Sequence, residues 1–596
     1  RFYGFLDPGS GSELGLPEDA WWSKNPVITE YLRPDEPVSF GPKTMPSTAA
    51  NNGSNTGIVI TNFSDIAPVM TFSLRNQFSV PNFPQFAGGS AAELLSPMLA
   101  DLTGDGRTDI VAATVSGEIF AWQADGSKVI ANGDVATVTQ PNGLTAQIPR
   151  ATFAAGGPLA SPPAFADVVG DGRAEVIALL QEGKLQVWQA KDDDGNGRAD
   201  LAWQVEVGAT QSNVVVRVET KNVFCGNEAG TVFSFTGTGE LRWQTALQRP
   251  VRGLSLLANG LLVALDNGLA ILSEEGVAVF SNPPLPLSRG PAPNGAFAIA
   301  DIDNDGQIEG LVAEQDGRLF FPINQGAEQT VLDFGAAIGG LAIGDINRDG
   351  RKEVVLAAGN QLFAVNYNGV LTENFPRKIG EQPRTAFVAQ YLISPIIADV
   401  DGDGSQDVLV PGADGNVYAY RGNGSLVEGF PLALPGPGRG SLAAGDLDND
   451  GKLELVGASG SGFVHVWRLP ESSGQADWPM YHHDAAQTSL NPARETPVIA
   501  DGKLMPEKSV YNYPNPAREG STRIRYRLNG AAKVKISIFD TAGDLVTEFE
   551  GPGLAQADNE VEWQLDGVQS GVYLAKVEAQ GDSEKVMKII KIAVVK

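Results

Sequence analysis

Asp399, Asp401, Asp403 and Asp407 place four carboxylates within nine residues, with Gly404 among them. Counted from Asp399, oxygen donors stand at positions 1, 3, 5 and 9 and glycine at position 6. Hard oxygen donors around a tight turn, with no His or Cys, are the ligand chemistry of calcium. Two further loops carry the full set: Asp301, Asp303, Asp305 and Glu309, and Asp446, Asp448, Asp450 and Glu454. In Asp345, Asn347, Asp349 and Glu353 an amide takes position 3, and in Asp101, Thr103, Asp105 and Asp109 a hydroxyl does. Asp167, Asp171 and Glu175 have Val169 at position 3. A seventh set, Asp192, Asp194, Asn196 and Asp200, lies in an insertion between strands. The expectation is several structural calcium ions.

Positions 1 to 6 match an EF-hand loop, but position 12, where that loop needs a bidentate Glu, is Val410, and a strand rather than a helix follows. The carboxylate at position 9 takes the place of that Glu. Asp and Gly also cluster in ordinary Asx turns. A turn uses one or two such residues, however, and does not call for carboxylates at four fixed positions in copy after copy.

The elements that position these loops form a repeat. About ten residues after each of the first six loops comes a second signature: "SGEIFAW" at Ser116, "EGKLQVW" at Glu182, "DGRLFFP" at Asp316, "GNQLFAV" at Gly359, "DGNVYAY" at Asp414 and "SGFVHVW" at Ser461. "AGTVFSF" at Ala229 and "NGLAIL" at Asn267 add two units without an acidic loop. Short β-rich runs, alternating apolar runs and turn glycines describe about four strands per unit, the content of one propeller blade. A single blade cannot bury both faces, so the fold class expected is all-β: a β-propeller over residues 77–490, with eight blades favoured over seven. "SVPNFPQFAGG" from Ser79 is similar to the unit ends "TENFPRKIG" and "VEGFPLALPG", which predicts that residues 77–88 supply an outer strand of the last blade; "DWPMY" at Asp477 competes for that slot.

The flanks differ. Residues 491–508 read as a linker, and six or seven short strands over 509–596 read as an Ig-like β-sandwich. Residues 1–76 are a less regular, β-rich segment. The N-terminus has no apolar signal core and reads as the middle of something, so the gene product is expected to begin upstream of Arg1.

Composition narrows the function. A net charge of −28 argues against nucleic acid and anionic lipid. No apolar run approaches the roughly 20 residues of a membrane helix, so no transmembrane segment is expected. Cys225 is the one cysteine and reads as a small buried hydrophobe. The three histidines, His465, His482 and His483, form no HExxH, and no GxSxG elbow occurs, so no catalytic residue is assigned. A role of His482, His483 and Asp484 as metal ligands competes with a structural one, which is favoured. Seven divalent ions would offset half of the net charge.

The acidic units resemble FG-GAP/VCBS repeats, the calcium-loop blades of integrin-α-type propellers, over about residues 77–490. "WPMYHHD" at Trp478 is similar to the tail that ends many bacterial propellers of this kind. "YNYPNP", "IFDTAGDLV" and "SGVYLAKV" resemble FlgD-type Ig-like domains and the C-terminal sorting domains of type IX secretion. Ser47–Leu74 is similar to the segment that closes the catalytic domain of immune-inhibitor-A-type secreted metallopeptidases. These resemblances imply a secreted or cell-surface protein that binds an extracellular protein or glycan, as the non-catalytic region of an exported metallopeptidase. The alternative is a non-enzymatic adhesin or structural protein that assembles through propeller faces and edge strands, or anchors to a surface.

Overall fold

A computed structural model describes residues 49, 54–65, 69–88, 94–130, 135–139, 145–149, 151–266, 268–281, 297–304, 308–314, 316–323, 330–367, 369–380, 393–434, 436–491, 504–505, 510–513, 517, 520–528, 531–553, 557–565, 567–581 and 584–595. All regular elements among them are strands. The chain divides into two compact units, one holding the strands of every blade and one running from Glu495 to Lys596. Most of residues 1–76, with 492–503 and 506–508 of the expected linker, lie outside the described residues.

Among the described residues the first unit contains, besides two two-stranded sheets, eight sheets of four or five strands that follow one another along the chain, so the fold is a β-propeller. Blade 1 is Met98–Ala100, Asp109–Ala113, Glu118–Trp122 and Phe153–Ala154; blade 2 is Ala164–Ala166, Glu175–Leu179, Lys184–Gln189 and Asp200–Glu206. Blade 3 runs from Val215–Arg217 to Leu241–Ala246, and blade 4 from Val251–Leu257 to Ala278–Ser281. Blade 5 starts at Phe297–Ala300, blade 6 at Ile338–Gly344, blade 7 at Ile396–Ala398 and blade 8 at Gly438–Gly445.

Burial falls from the second strand of a blade to its outer strand. Second strands such as Glu175–Leu179, Glu353–Ala358 and Asp407–Pro411 are buried throughout, because neighbouring blades cover both their faces. The outer strands Asp200–Glu206 and Leu241–Ala246 alternate between half-buried and exposed. Aromatic pairs two residues apart on third strands, Phe233 with Phe235 and Tyr418 with Tyr420, lie nearly parallel with centroids 6.0 and 6.1 Å apart. The hairpin glycine Gly183 has φ 97°, and a Cβ there would meet the Gly208 backbone at 2.2 Å, so no other residue fits.

The last blade is completed from the other end of the unit. Gln85 pairs with Val464 and Phe86 with Phe463, and these two rings lie 5.0 Å apart. The kinship among the three Phe-Pro segments extends to the backbone: Phe83-Pro84, Phe375-Pro376 and Phe430-Pro431 are all cis, each after a residue with positive φ (Asn82, Asn374 and Gly429).

"DWPMY" takes another route. Residues 477–491 run along the inner strands around the ring. Trp478 exchanges backbone hydrogen bonds with Ile397 of blade 7, and the Pro479 carbonyl accepts from Ala444 of blade 8. Met480 and Tyr481 pack in one core with Met98 and Leu99 of blade 1. The carbonyls of Ala485, Ala486, Thr488 and Ser489 accept from Phe165, Val216, Leu256 and Ile299 in blades 2 to 5. Leu490–Asn491 then adds a parallel strand to blade 5. The inward edges of the inner strands thus find their partners within the chain.

The second unit is a β-sandwich with a three-stranded sheet (Val510–Tyr513, Ser521–Leu528, Ala557–Gln564) and a four-stranded sheet (Leu545–Gly551, Lys533–Phe539, Gly571–Gln580, Lys585–Val594). One core joins them through Ile524, Tyr526, Ile536, Trp563, Val577 and Ile592.

Candidate metal centres

Each acidic loop joins the first strand of a blade to the second, apart from the 192–200 loop, which joins the third strand of blade 2 to its fourth. One hydrogen-bond pattern shapes them. The position 1 carboxylate gathers the amides of the turn: Asp399 accepts from Gly402 at 2.8 Å and Gly404 at 2.9 Å, and Asp101 accepts from Gly104 and Gly106. The position 5 carboxylate accepts from position 7, as Asp403 does from Ser405, Asp171 from Arg173, Asp349 from Arg351 and Asp450 from Lys452. The position 9 carboxylate reaches back to the amide of position 2. Asp109, Glu175, Glu309, Glu353, Asp407 and Glu454 do so at 2.8–3.2 Å. Asp200 does the same for Asp193 at 2.9 Å, so the insertion is a seventh copy in geometry as well as sequence. Blades 3 and 4 replace the loop with short turns at 218–221 and 258–259.

These bonds use both oxygens of Asp101, Asp167, Asp399 and Asp446 at position 1 but one oxygen of most carboxylates at positions 5 and 9, and leave others facing one another. Five sets bring a ligand atom from each of three carboxylates within 4.8 Å of each other: Asp167, Asp171 and Glu175; Asp192, Asp194 and Asp200; Asp301, Asp303 and Glu309; Asp399, Asp401 and Asp407; and Asp446, Asp448 and Glu454. In the other two loops position 3 is not a carboxylate; Asn347 donates to Glu353 at 2.8 Å, and Thr103 sits 3.4 Å from Asp101. Asp305 lies outside the described residues.

Position 9 is where electrostatics and packing conflict. Asp407 is 1% exposed, and its Oδ1 has no hydrogen-bond partner. Burial first, then the charge of Asp401, pushes its pKa up to about 8. Burial likewise pushes Asp109 and Glu454 to about 7 and raises Glu175. A buried carboxylate among carboxylates is costly unless something positive joins it. The oxygen-only donor set, with a buried oxygen left over, fits a hard divalent ion.

The other sequence candidates are accounted for differently. Cys225 is fully buried, which pushes its thiol up to about 12. His482 Nδ1 lies 2.8 Å from Ser489 Oγ, and His483 Nδ1 lies 3.2 Å from Asp484 Oδ2, so the two imidazoles serve the ring-lining segment in separate contacts. Two residues escaped the sequence reading. Arg421 pairs with Asp401, and Arg468 Nη2 reaches Asp448 Oδ2 at 2.6 Å. Their signal was an Arg at the end of "VYAYR" and "VHVWR", where "EIFAW" and "LQVW" are followed by Gln.

Comparison with known proteins bears on both units. Residues 399–457, which span the loops of blades 7 and 8, match the family model of an FG-GAP-like repeat. Residues 511–592 match that of a secretion system C-terminal sorting domain. Neither match reaches residues 47–74. No curated protein matches the chain. Among solved structures, BamB from Moraxella catarrhalis is similar at 16% identity and TM-score 0.40, covering 63% of this chain and 100% of that one. BBS1N in a complex with ARL6DN is similar at 16% identity and TM-score 0.37, covering 52% of this chain and 92% of that one. No helix among the described residues is long and apolar enough to cross a membrane. The chain is a secreted or cell-surface protein that carries FG-GAP-like repeats in a β-propeller and a C-terminal sorting domain.

Proposed function

We propose that the propeller is a calcium-stabilised binding module that the sorting domain delivers to the cell exterior, where it engages a protein or a glycan. Asp407 carries the calcium reading: a carboxylate at 1% exposure, with one oxygen unpartnered and Asp399 and Asp401 converging on it, wants a cation. Asp399, Asp401, Asp403 and Asp407 would hold it in blade 7, and the corresponding residues in the other loops. The ion supplies positive charge and ties the first strand of a blade to the second, with no part in bond making. Extracellular modules of this type bind calcium at about 10⁻⁴–10⁻³ M, which suits a millimolar-calcium exterior. Residues 477–491 already occupy the inner strand edges, which favours a ligand on the loop-bearing faces over one in the ring. Metal analysis of the purified chain, with melting in calcium and in chelator, tests the reading. Absence of bound calcium together with identical melting would overturn it.

A second reading, self-assembly, has its own observation. Val277 and Val279, at the outer strand of blade 4, are 63% and 64% exposed. An apolar outer edge invites another strand. A concentration-dependent mass in light scattering that Val279→Lys abolishes would support it. The narrower reading as the non-catalytic region of an exported metallopeptidase rests on the resemblance at 47–74. Its test is whether the coding sequence ahead of Arg1 encodes HExxH.

A further inference from the structure

The residue across the sheet from position 9 divides the loops into two kinds. Asp407 faces Arg421 in blade 7, and Glu454 faces Arg468 in blade 8. In blades 1, 2 and 6 the residue at that place is an amide, Gln123, Gln189 or Asn366, each directly after the cross-strand partner of the residue that follows position 9. Both arginines reach back twenty residues to the position 3 carboxylate. Arg421 Nη2 pairs with Asp401 Oδ2, and its Nε lies 3.9 Å from Asp403 Oδ2. Arg468 Nη2 lies 2.6 Å from Asp448 Oδ2, and its Nε 3.5 Å from Glu454 Oε1. In the same two loops Asp407 Oδ1 and Asp448 Oδ1 are buried without a hydrogen-bond partner. A guanidinium therefore lies against two carboxylates of each loop, while Asp407 Oδ1 and Asp448 Oδ1 stay without a hydrogen-bond partner.

We propose that Arg421 and Arg468 are tethered counter-ions that compete with calcium for the loops of blades 7 and 8, making these two sites weaker and more readily exchanged than the 192–200 site. The inference rests on the calcium reading and adds a hierarchy to it. Guanidinium keeps its charge at every relevant pH and has only donors to offer. While it occupies Asp401 or Asp448, a cation must displace it, and apparent affinity falls by the fraction of loops in which that carboxylate is free. Without calcium the same guanidinium offsets carboxylate repulsion and keeps the loop in shape. Among the described residues the 192–200 loop has no guanidinium paired with its triad; Lys191 there pairs with Asp193, and its charge reaches Asp200 only through space. Blade 2 is intermediate, with Lys221 3.6 Å from Asp167.

The test is calorimetric titration of calcium chloride into the full chain after chelator treatment, comparing the native protein with Arg421→Gln, Arg468→Gln and the double variant. Glutamine already stands at this place in blades 1 and 2, so the sheet accepts it. The native isotherm should contain a weak class of two sites. The double variant should tighten that class by about fivefold or more, the lower end of ordinary coupling between sites, and should melt below the native protein in chelator but not in calcium. Each single variant should tighten one site, which keeps the test valid if the double variant does not fold. A weak class that is unchanged or weaker in the variants, with calcium still bound, would overturn the counter-ion role alone. No heat and no calcium-dependent melting in any of these proteins would overturn the calcium reading beneath it.

Discussion

The side-chain amide of Asn491 donates to the carbonyl of Asp477 at 3.2 Å and to that of Ile343 at 3.0 Å. The first bond joins the two ends of the segment that lines the ring. The second fixes them to blade 6, where Asp477 itself accepts from the amide of Asp345 at 3.2 Å. Asn491 is 2% exposed, so Asn491→Leu would strand buried carbonyls in place. Unfolding in urea should show a loss of about 1–3 kcal/mol, and an unchanged midpoint would mean that the ring-lining segment holds without this clasp.

Trp478 anchors the same segment at 0% exposure. Trp478→Ala should cost about 3–5 kcal/mol, as large-to-small core changes do. Trp478→Phe should cost distinctly less, because the indole N–H has no acceptor to lose. Equal losses in urea unfolding would show that the N–H matters after all.

Much of this was legible in the sequence, for physical reasons. The loops could be read because each position does a fixed job: a gatherer of amides at 1, glycine with positive φ at 6, a carboxylate that folds back at 9. The outer strand from Gln85–Phe86 could be found because its Phe-Pro lead-in repeats at Phe375 and Phe430, each of which also runs into an outer strand. The route of residues 477–491 could not be read. Its contacts are mostly backbone carbonyls, which every residue has, and its backbone hydrogen-bond partners lie in six different blades. The pairing of Arg421 with Asp401 needed the cross-strand register, since twenty residues and a hairpin separate them.

Asp407 yields a prediction whose sign changes with calcium. Its folded pKa of about 8 lies above the ordinary 3.8, so without a cation the stability it contributes is full below 3.8 and is lost as pH rises toward 8. Chelated protein should therefore melt higher at pH 5.5 than at pH 8, and calcium should remove most of that difference. Asp407→Asn fixes the uncharged form: at pH 8 it should melt above the native protein in chelator and below it in calcium. The same ordering in both conditions would sink the idea that this carboxylate is a ligand.

Deleting residues 511–592 separates delivery from folding. These residues have their own core, distinct from those of the blades, in a unit of its own. The truncated chain should melt within about 2 °C of the full one at the propeller transition, since the deleted residues belong to none of the blade cores, while its export to the cell surface or medium in a host with the matching secretion system should be lost. Fractionation and immunoblotting decide this. Normal export of the truncated chain would leave the sorting domain without its function here.

His465 predicts acid sensitivity of blade 8. It sits at 9% exposure on the third strand, ring centroid 5.8 Å from that of Trp467, and its Nε2 has no partner. Burial lowers its pKa from 6.5 to about 4. A depressed histidine stabilises the fold above its unfolded pKa, and that contribution is lost as pH falls from 6.5 toward 4. The loss should be on the order of 2–3 kcal/mol. His465→Phe keeps an aromatic ring beside Trp467 and has nothing to protonate. In saturating calcium, which on the calcium reading would hold the loop carboxylates ionised, the native protein should lose more stability than this variant between pH 7 and pH 4. If both lose the same, protonation of His465 is not what opens the blade.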